Sequence, residues 1–421
     1  MPLPFISVNS VGAHFFQPLD DVWPKLTSSR VCNELPDLDF IRLGVARVLS
    51  QAKSGRDFLQ SHANFGGKPV AVNHFFETIK SPRRLSICSE VNGLLVDVVN
   101  VKCSDPFLEF PELNSYDLYA GDGHSHKAAA HDEVKGSCKQ PLNHFIILNL
   151  RSRALHYFAL GDAGGVRKRE HDMRAIKRHG LGELRFNAKK GRKVFVVWDR
   201  AGIDFHLWHK AKQHGVYFLS REKDNMRLEV IGNIPFDKKD VRNQGILSDD
   251  FVATSQGTAV RRVTYHDPVG ETTYTYLTSN QTLPPGLIAL LYKRRWDIEK
   301  VFDETKNRFQ EGKAWASSDT AKEVQGQMIC ITHNLCLLIE NELQTVDLIS
   351  NDLEIQRRAK RIKALDAKMS AKNIVLPFVY RAVERLTQRG VKLIRWLRNY
   401  LYSDRLWQDA TNQLRSAYAT L

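Results

Sequence analysis

The sequence predicts a mixed α/β protein: a sheet with flanking helices, a β-rich insertion, and helical N- and C-terminal regions. Three observations carry this reading. Strand-like segments cluster between residues 114 and 220, separated first by short turns and then by helical stretches. A second group of strand-like segments lies between residues 226 and 285. Long stretches of helical spacing precede residue 110 and follow residue 286.

In chain order, residues 1–110 are expected to be mostly helical. Leu38–Ala52 carries Phe40, Ile41, Leu43, Val45, Val48 and Leu49 on a broad apolar face. Phe58–His62 and Val72–Lys80 read as two short helices around the turn-rich Asn64–Pro69. That pair suits either a small DNA-binding unit or an ordinary helical region. Ser115–Gly121 reads as the first strand, stopping at Asp122-Gly123, and His144–Asn149 and Ala154–Leu160 as the next two. Glu170–Arg178 is helical. Val194–Trp198 is a buried strand ending at Asp199, Ile203–His214 a helix, and Gly215–Ser220 the fifth strand. Hairpins come first and crossovers afterwards, which is the order of a mixed sheet.

This core, residues 111–225, is completed by residues 286–340, with the insertion 226–285 between them. Within the insertion Met226–Ile231, Gly257–Tyr265 and Glu271–Thr278 read as strands, and Pro284-Pro285-Gly286 returns the chain to helix. Thr320–Glu340 is a strongly apolar helix. Residues 341–421 form a basic helical region containing Gln356–Lys372 and Phe378–Leu401, whose cations either grip a DNA backbone or face solvent.

Composition narrows the partners. The chain has 421 residues, 43% of them hydrophobic, with a formal charge of +14 and a pI near 9.4. Such a charge calls for a polyanion, nucleic acid first and an anionic membrane second. No apolar run is long enough to cross a bilayer and the first residues lack a secretion signal, so a soluble cytoplasmic protein with no membrane partner is expected. None of the six cysteines pairs as C-x2-C; buried thiols, not a zinc site or disulfides, are expected.

The chemistry concentrates in Tyr292–Lys306. On a helical wheel Tyr292, Arg295, Glu299 and Lys306 share an arc about 60° wide. Leu290, Leu291, Ile298, Val301, Phe302 and Phe309 take a separate apolar arc, with Arg294 snorkelling at its edge. A carboxylate flanked by cations suits a phosphodiester: Glu299 is a hard ligand for Mg2+, and Arg295 and Lys306 can hold phosphate oxygens. On geometry alone, a surface helix with an i,i+4 ion pair is an equal reading.

The spacing Tyr292-x2-Arg295-x3-Glu299-x6-Lys306 resembles the Y-x2-R-x3-E-x6-K signature of bacterial insertion-sequence transposases of the DDE class. The strand order likewise resembles the RNase H-like nuclease fold, whose catalytic carboxylates sit on the first strand, after the fourth, and on a later helix. The resemblance implies that Asp122, Asp199 and Glu299 are catalytic and hold two Mg2+ ions, with Mn2+ able to substitute. It implies phosphate contacts from Arg295, Lys306 and Arg200, with Tyr292 positioning the neighbouring nucleotide. Trp296 is either a stacking platform for an unpaired base or a core residue. His124, with His126 and His131, reads as a polar loop residue beside the site and a phosphate contact; zinc ligation lacks the usual context. Asp117 rivals Asp122 from the opposite face of the same strand, and Asp303 is a reserve ligand.

The implied activity is cleavage of transposon-end DNA and transfer of the freed 3′-OH into target DNA. The implied partners are double-stranded DNA, as ends and target, and a second copy forming a homodimer on DNA, in a bacterial nucleoid-associated setting. A nuclease that cuts without joining and a domesticated DNA-binding regulator are the competing readings.

Overall fold

The computed structural model describes residues 9–27, 34–52, 54–65, 67–135, 138–139, 141–161, 170, 172–185, 188, 191–254, 257–309, 312–382 and 391–419. Its centre is a nine-stranded mixed sheet. The strands are β1 (Tyr116–His126), β2 (Leu142–Asn149), β3 (Leu155–Leu160), β4 (Lys193–Val197), β5 (Val216–Arg221), β6 (Glu229–Asn233), β7 (Ile246–Ala253), β8 (Ala259–Asp267) and β9 (Thr272–Thr278). They lie side by side as β3-β2-β1-β4-β5-β9-β8-β7-β6. β1, β2 and β3 pair antiparallel, whereas β4 runs parallel to both β1 and β5. That half is the RNase H-like arrangement expected from the segment order.

The helices are α1 (Val11–Val22), α2 (Asp37–Leu49), α3 (Gly55–Asn64), α4 (Val72–Thr78), α5 (Pro82–Lys102), α6 (Asp172–His179), α7 (Phe205–Gln213), α8 (Pro285–Arg294), α9 (Trp296–Asn307), α10 (Asp319–Thr345), α11 (Asp352–Ser370), α12 (Phe378–Arg381), α13 (Val391–Tyr400) and α14 (Trp407–Ala419). Ile176 of α6 and Trp208 of α7 pack on Val194, Val196 and Trp198 on one face of the sheet. Leu287 and Leu291 of α8, with Ile298, Val301 and Phe302 of α9, pack on Leu118, Ala120, Phe195 and Val197 on the other. β4 is therefore covered on both sides, which is why its sequence is a continuous apolar run.

A third apolar cluster joins α1, α2, α5, α10, α13 and α14. The helical regions expected as separate pieces at residues 1–110 and 341–421 thus share one core, built round the long apolar α10. Cys88, Cys330 and Cys336 are buried free thiols, as expected. Among the described residues no helix is long and apolar enough to cross a membrane.

Several elements differ from expectation for identifiable reasons. β1 does not stop at Asp122-Gly123 but runs on to His126. Gly121 is there because a Cβ would lie 2.2 Å from the Trp198 ring, so the glycine marks a close approach and not a turn. The insertion strands join the main sheet, β9 pairing with β5, instead of forming a separate unit. β7, with Asp249 and Asp250 in mid-strand, has no apolar alternation to reveal it. Its acids are met across the strands: Arg261 grips Asp249 through a 2.6 Å contact, both fully buried. The segment expected as a single helix over 378–401 contains α12 and α13, and residues 383–390 between them lie outside the described residues.

Candidate active site

Strand parity and register bring the first two acids together. Leu118 and Ala120 face the α8–α9 layer, and Asp122, two residues further, keeps that face. On β4 Phe195 and Val197 face the same way, which carries Asp199 to that side as well. Ala120 pairs with Val197 in the parallel ladder, so the two acids emerge level on adjacent strands. Asp122 accepts from the Gly123 N–H at 2.8 Å. Asp199 accepts from the Ala201 N–H at 2.7 Å and caps a single turn at residues 200–202. The longer α7 has its own cap, Asp204, so Asp199 is not needed for it. The rival Asp117 is instead taken up by Arg192 at 2.7 Å.

The third acid arrives from the helix layer through Arg295. Its Nη2 donates to Glu299 at 2.6 Å and its Nη1 lies 3.5 Å from Asp122 Oδ2. The guanidinium is nearly fully buried. Burial works against its charge, but Tyr292, Glu299 and Asp122 together hold its pKa above the ordinary value. The helix expected to run unbroken from Tyr292 to Lys306 is jointed here: α8 ends at Arg294 and α9 begins at Trp296. Around the joint the Arg295 N–H reaches Tyr292 O and the Ile298 N–H reaches Arg295 O, both three residues back. The stripe survives the joint. Arg294 does not snorkel: it is buried and pairs with Asp297 at 2.7 Å.

A cleft of about 640 Å³ opens beside Asp199 and Arg295. Its walls include Tyr265, Tyr274, Tyr276, Tyr292 and Tyr380, and its cations are Arg200, Arg221, Lys293 and Arg295. Tyr292 lies 4.7 Å from the Tyr276 ring, centroid to centroid, and burial raises its pKa. Trp296 is 49% exposed at the rim, 5.2 Å from the Arg295 guanidinium, which removes the core-packing alternative. Arg200 also pairs with Asp224 at 3.1 Å.

A family model for the transposase DDE domain matches residues 93–335, more than half of the chain, and that span contains all three acids. The chain belongs to the transposase DDE-domain family. A curated relative of Sinorhizobium fredii, "Putative transposase y4zB", is 27% identical over 151 residues, which is 33% of this chain and 42% of the relative. The match thus spans less than half of the relative's length.

The donor set of this transposase-family chain suits a divalent ion in chemistry. Asp122, Asp199 and Glu299 offer hard carboxylate oxygens. Burial, opposed by Arg295 and reinforced by Asp199, pushes the Asp122 carboxyl up to about 7. A pair of acids so short of positive charge is what a divalent cation relieves. Among the described residues, however, no three His, Cys, Asp or Glu side chains converge as a metal-holding group. Arg295 stands between Asp122 and Glu299 in this arrangement.

The remaining expected residues fall into two groups. Lys306 is exposed on α9. Asp303 is also exposed and accepts from Asn307, one turn on. His124 and His126 are not in a loop; they lie on β1, buried, with His124 stacked on Phe302 at 4.5 Å. No phosphate reaches His124 in this arrangement. His131 lies outside the row they form with His144, spaced 4.5 and 4.9 Å between ring centroids. The cleft tyrosines of the insertion are not singled out by sequence reasoning. The alternation in Thr272–Thr278 places Tyr274 and Tyr276 on one face, but nothing local says which site they face.

The buried histidines make this fold acid-sensitive. Burial lowers the His126 pKa to about 3 and that of His156 to about 4, and lowers His124 and His144 as well. Below pH 6.5 the unfolded chain takes up protons at these histidines that the folded one refuses, so their contribution to stability falls with falling pH, while Asp122, its carboxyl raised to about 7, contributes in the opposite sense over the same window. His126 alone should cost about 2 kcal/mol between pH 7 and pH 5. Urea midpoints of wild type and His126→Asn at the two pH values check this: acidification should cost wild type about 2 kcal/mol more than the variant.

Proposed function

We propose that this chain is the enzyme of a mobile DNA element, cutting DNA at the element's ends and joining the freed 3′-OH to target DNA. One observation carries the reading: Asp122 and Asp199 stand level on adjacent parallel strands, on the face to which Arg295 ties Glu299. These three acids would hold two Mg2+ ions, with Mn2+ as an effective substitute. When bound, such ions activate the attacking oxygen and stabilise the leaving oxygen of an in-line displacement at phosphorus.

The chain's own residues do the rest. Arg295, Arg200 and Lys306 hold phosphates beside the scissile bond. Tyr292 and Trp296 fix the neighbouring nucleotide, at the rim of a cleft whose tyrosine walls and cations suit an unpaired stretch of strand. Duplex DNA, as ends and as target, is the partner, and two copies act together on it.

The test uses full-length protein, Mg2+, a duplex made from the sequences that flank the gene, and a supercoiled plasmid. Nicked ends and joined products are expected. Nicks without joining would favour the simple nuclease, and binding without cutting would favour the regulator. A second expectation concerns stability. Mg2+ relieves the repulsion among the acids, so with the duplex bound millimolar Mg2+ should raise the melting temperature of the protein by a few degrees. A melting temperature of the DNA-bound protein indifferent to millimolar Mg2+ would count against the carboxylate site.

A further inference from the structure

We propose that Arg295 is a positioning residue that makes metal binding depend on DNA: it holds Glu299 and Asp122 while DNA is absent and yields them when a phosphate takes its guanidinium. The inference rests on the carboxylate reading above. Three observations carry it.

First, Arg295 bridges two of the three acids, at 2.6 Å from Glu299 and 3.5 Å from Asp122, and no three potential ligands converge among the described residues. A carboxylate oxygen engaged by a guanidinium is poorly placed to coordinate a cation, and two cations so close repel. Arg295 and a metal ion therefore compete for the same oxygens.

Second, the guanidinium has unused donors. Arg295 is 5% exposed, yet its Nε and Nη1 make no well-formed hydrogen bond among the described residues: Nη1 has only the long 3.5 Å approach to Asp122 and the neighbourhood of the Tyr292 hydroxyl. Unmet buried donors are costly, and a phosphate with its several oxygens would satisfy them bidentately. The residue also lines the open cleft, so a phosphate has a route to it.

Third, Arg295 sits at the joint between α8 and α9, where the hydrogen bonds close over three residues. The side chain thus swings from a point where the helical ladder is already interrupted. Two arrangements follow: guanidinium on carboxylates, or guanidinium on phosphate with the carboxylates released. A plain i,i+4 helix pair would leave metal affinity independent of DNA.

Mn2+ uptake, followed by loss of the free-ion electron paramagnetic resonance signal, separates these. The full-length protein without DNA is compared with Arg295→Met, which keeps the stem but not the charge, and Arg295→Lys, which keeps the charge but cannot bridge. Arg221→Ala removes a charge from the same cleft without touching the bridge, and melting curves establish that each protein is folded. Arg295→Met should bind Mn2+ at least about tenfold more tightly than wild type, a shift set by one lost short-range charge. Arg295→Lys should fall between them, and Arg221→Ala should stay within about twofold of wild type.

Once the Mn2+ taken up by the duplex alone is subtracted, adding duplex made from the sequences that flank the gene should tighten Mn2+ binding by wild type and leave Arg295→Met unchanged. Equal affinities for wild type and Arg295→Met overturn the inference, as does an Arg221→Ala effect as large, or no effect of the duplex on wild type. If Arg295→Met does not fold, the ranking of Arg295→Lys above wild type carries the test. If wild type binds Mn2+ as tightly as the variants, only this inference falls. If no protein takes up millimolar Mn2+ with or without DNA, the carboxylate reading falls with it.

Discussion

Glu299→Gln is expected to reduce strand cleavage by at least about 10³-fold while leaving DNA affinity within a few-fold of wild type. The substitution keeps shape and volume, and the glutamine oxygen can still accept from Arg295 as the carboxylate does at 2.6 Å. Glu299 is only partly buried, and α9 is held by Ile298, Val301 and Phe302 on its other face, so the fold should be indifferent to the change. What is lost is a full negative charge and a hard anionic ligand. The phosphate-holding cations are untouched, hence the separation of cutting from binding. Cleavage within tenfold of wild type would remove Glu299 from the chemistry and leave the Arg295 pair as a helix-surface contact. Asp199→Asn is a parallel case, since its side-chain oxygen can still accept from the Ala201 N–H.

The catalytic half of the fold is legible in the sequence because its signals are local and agree. The V-F-V-V run of β4, the hairpin turn before β3, and the helical stretches after β3 and β4 each follow from short-range pattern, and their order leaves few topologies. The candidate acids are legible for a different reason: Asp199 ends an apolar strand, and Glu299 keeps a fixed spacing from Tyr292, Arg295 and Lys306. Whether these acids gather a metal is not written in spacing. The Arg295 bridge depends on sub-helical geometry at a joint that no propensity in Y-K-R-R-W announces.

Other features are hidden because their causes lie far away in the chain. Gly123, beside Asp122, reads as a turn residue until β2 is seen to pair alongside it. The histidines of β1 read as polar until Phe302 covers His124. β7 carries no local strand signal, and its Asp249 is met only by Arg261, twelve residues later. In each case the partner is supplied by tertiary pairing, which overrides a local signal that is sound but incomplete. The tyrosine cleft shows the same limit, since its tyrosines come from β8, β9, α8 and α12, four separate stretches of chain.

Gly286→Ala should be the most disruptive single-methyl change, and its cause is backbone against backbone. A Cβ at Gly286 would sit 1.8 Å from the carbonyl oxygen of Arg242 and 2.4 Å from its carbonyl carbon. Neither side can retreat easily. The Gly286 N–H donates to Asn243 Oδ1 at 3.0 Å, and Asn243 in turn donates to Asp237 O at 2.9 Å. Arg242 is fastened to Asp240 and to Glu112, which lies just before β1. Its hydrogen bonds are the chief reason that the Glu112 and Asp240 carboxyls titrate below the usual range.

The methyl group must therefore push the start of α8 away from the insertion loop, at a cost of at least about 3 kcal/mol. α8 leads directly into Tyr292 and Arg295, so the same displacement moves the candidate site. Cleavage should fall by about tenfold or more even at temperatures where the variant is fully folded, because small misplacements are costly in positioned chemistry. Gly93→Ala supplies the contrast. Gly93 lies in α5, and a methyl group there would meet nothing within 4 Å among the described residues. Alanine at that position should stabilise the chain by about 0.5–1 kcal/mol with cleavage unchanged. Chemical denaturation of the two variants beside wild type tests both signs. A Gly286→Ala protein as stable and as active as wild type would show that the insertion loop yields freely, and that α8 is not anchored through it.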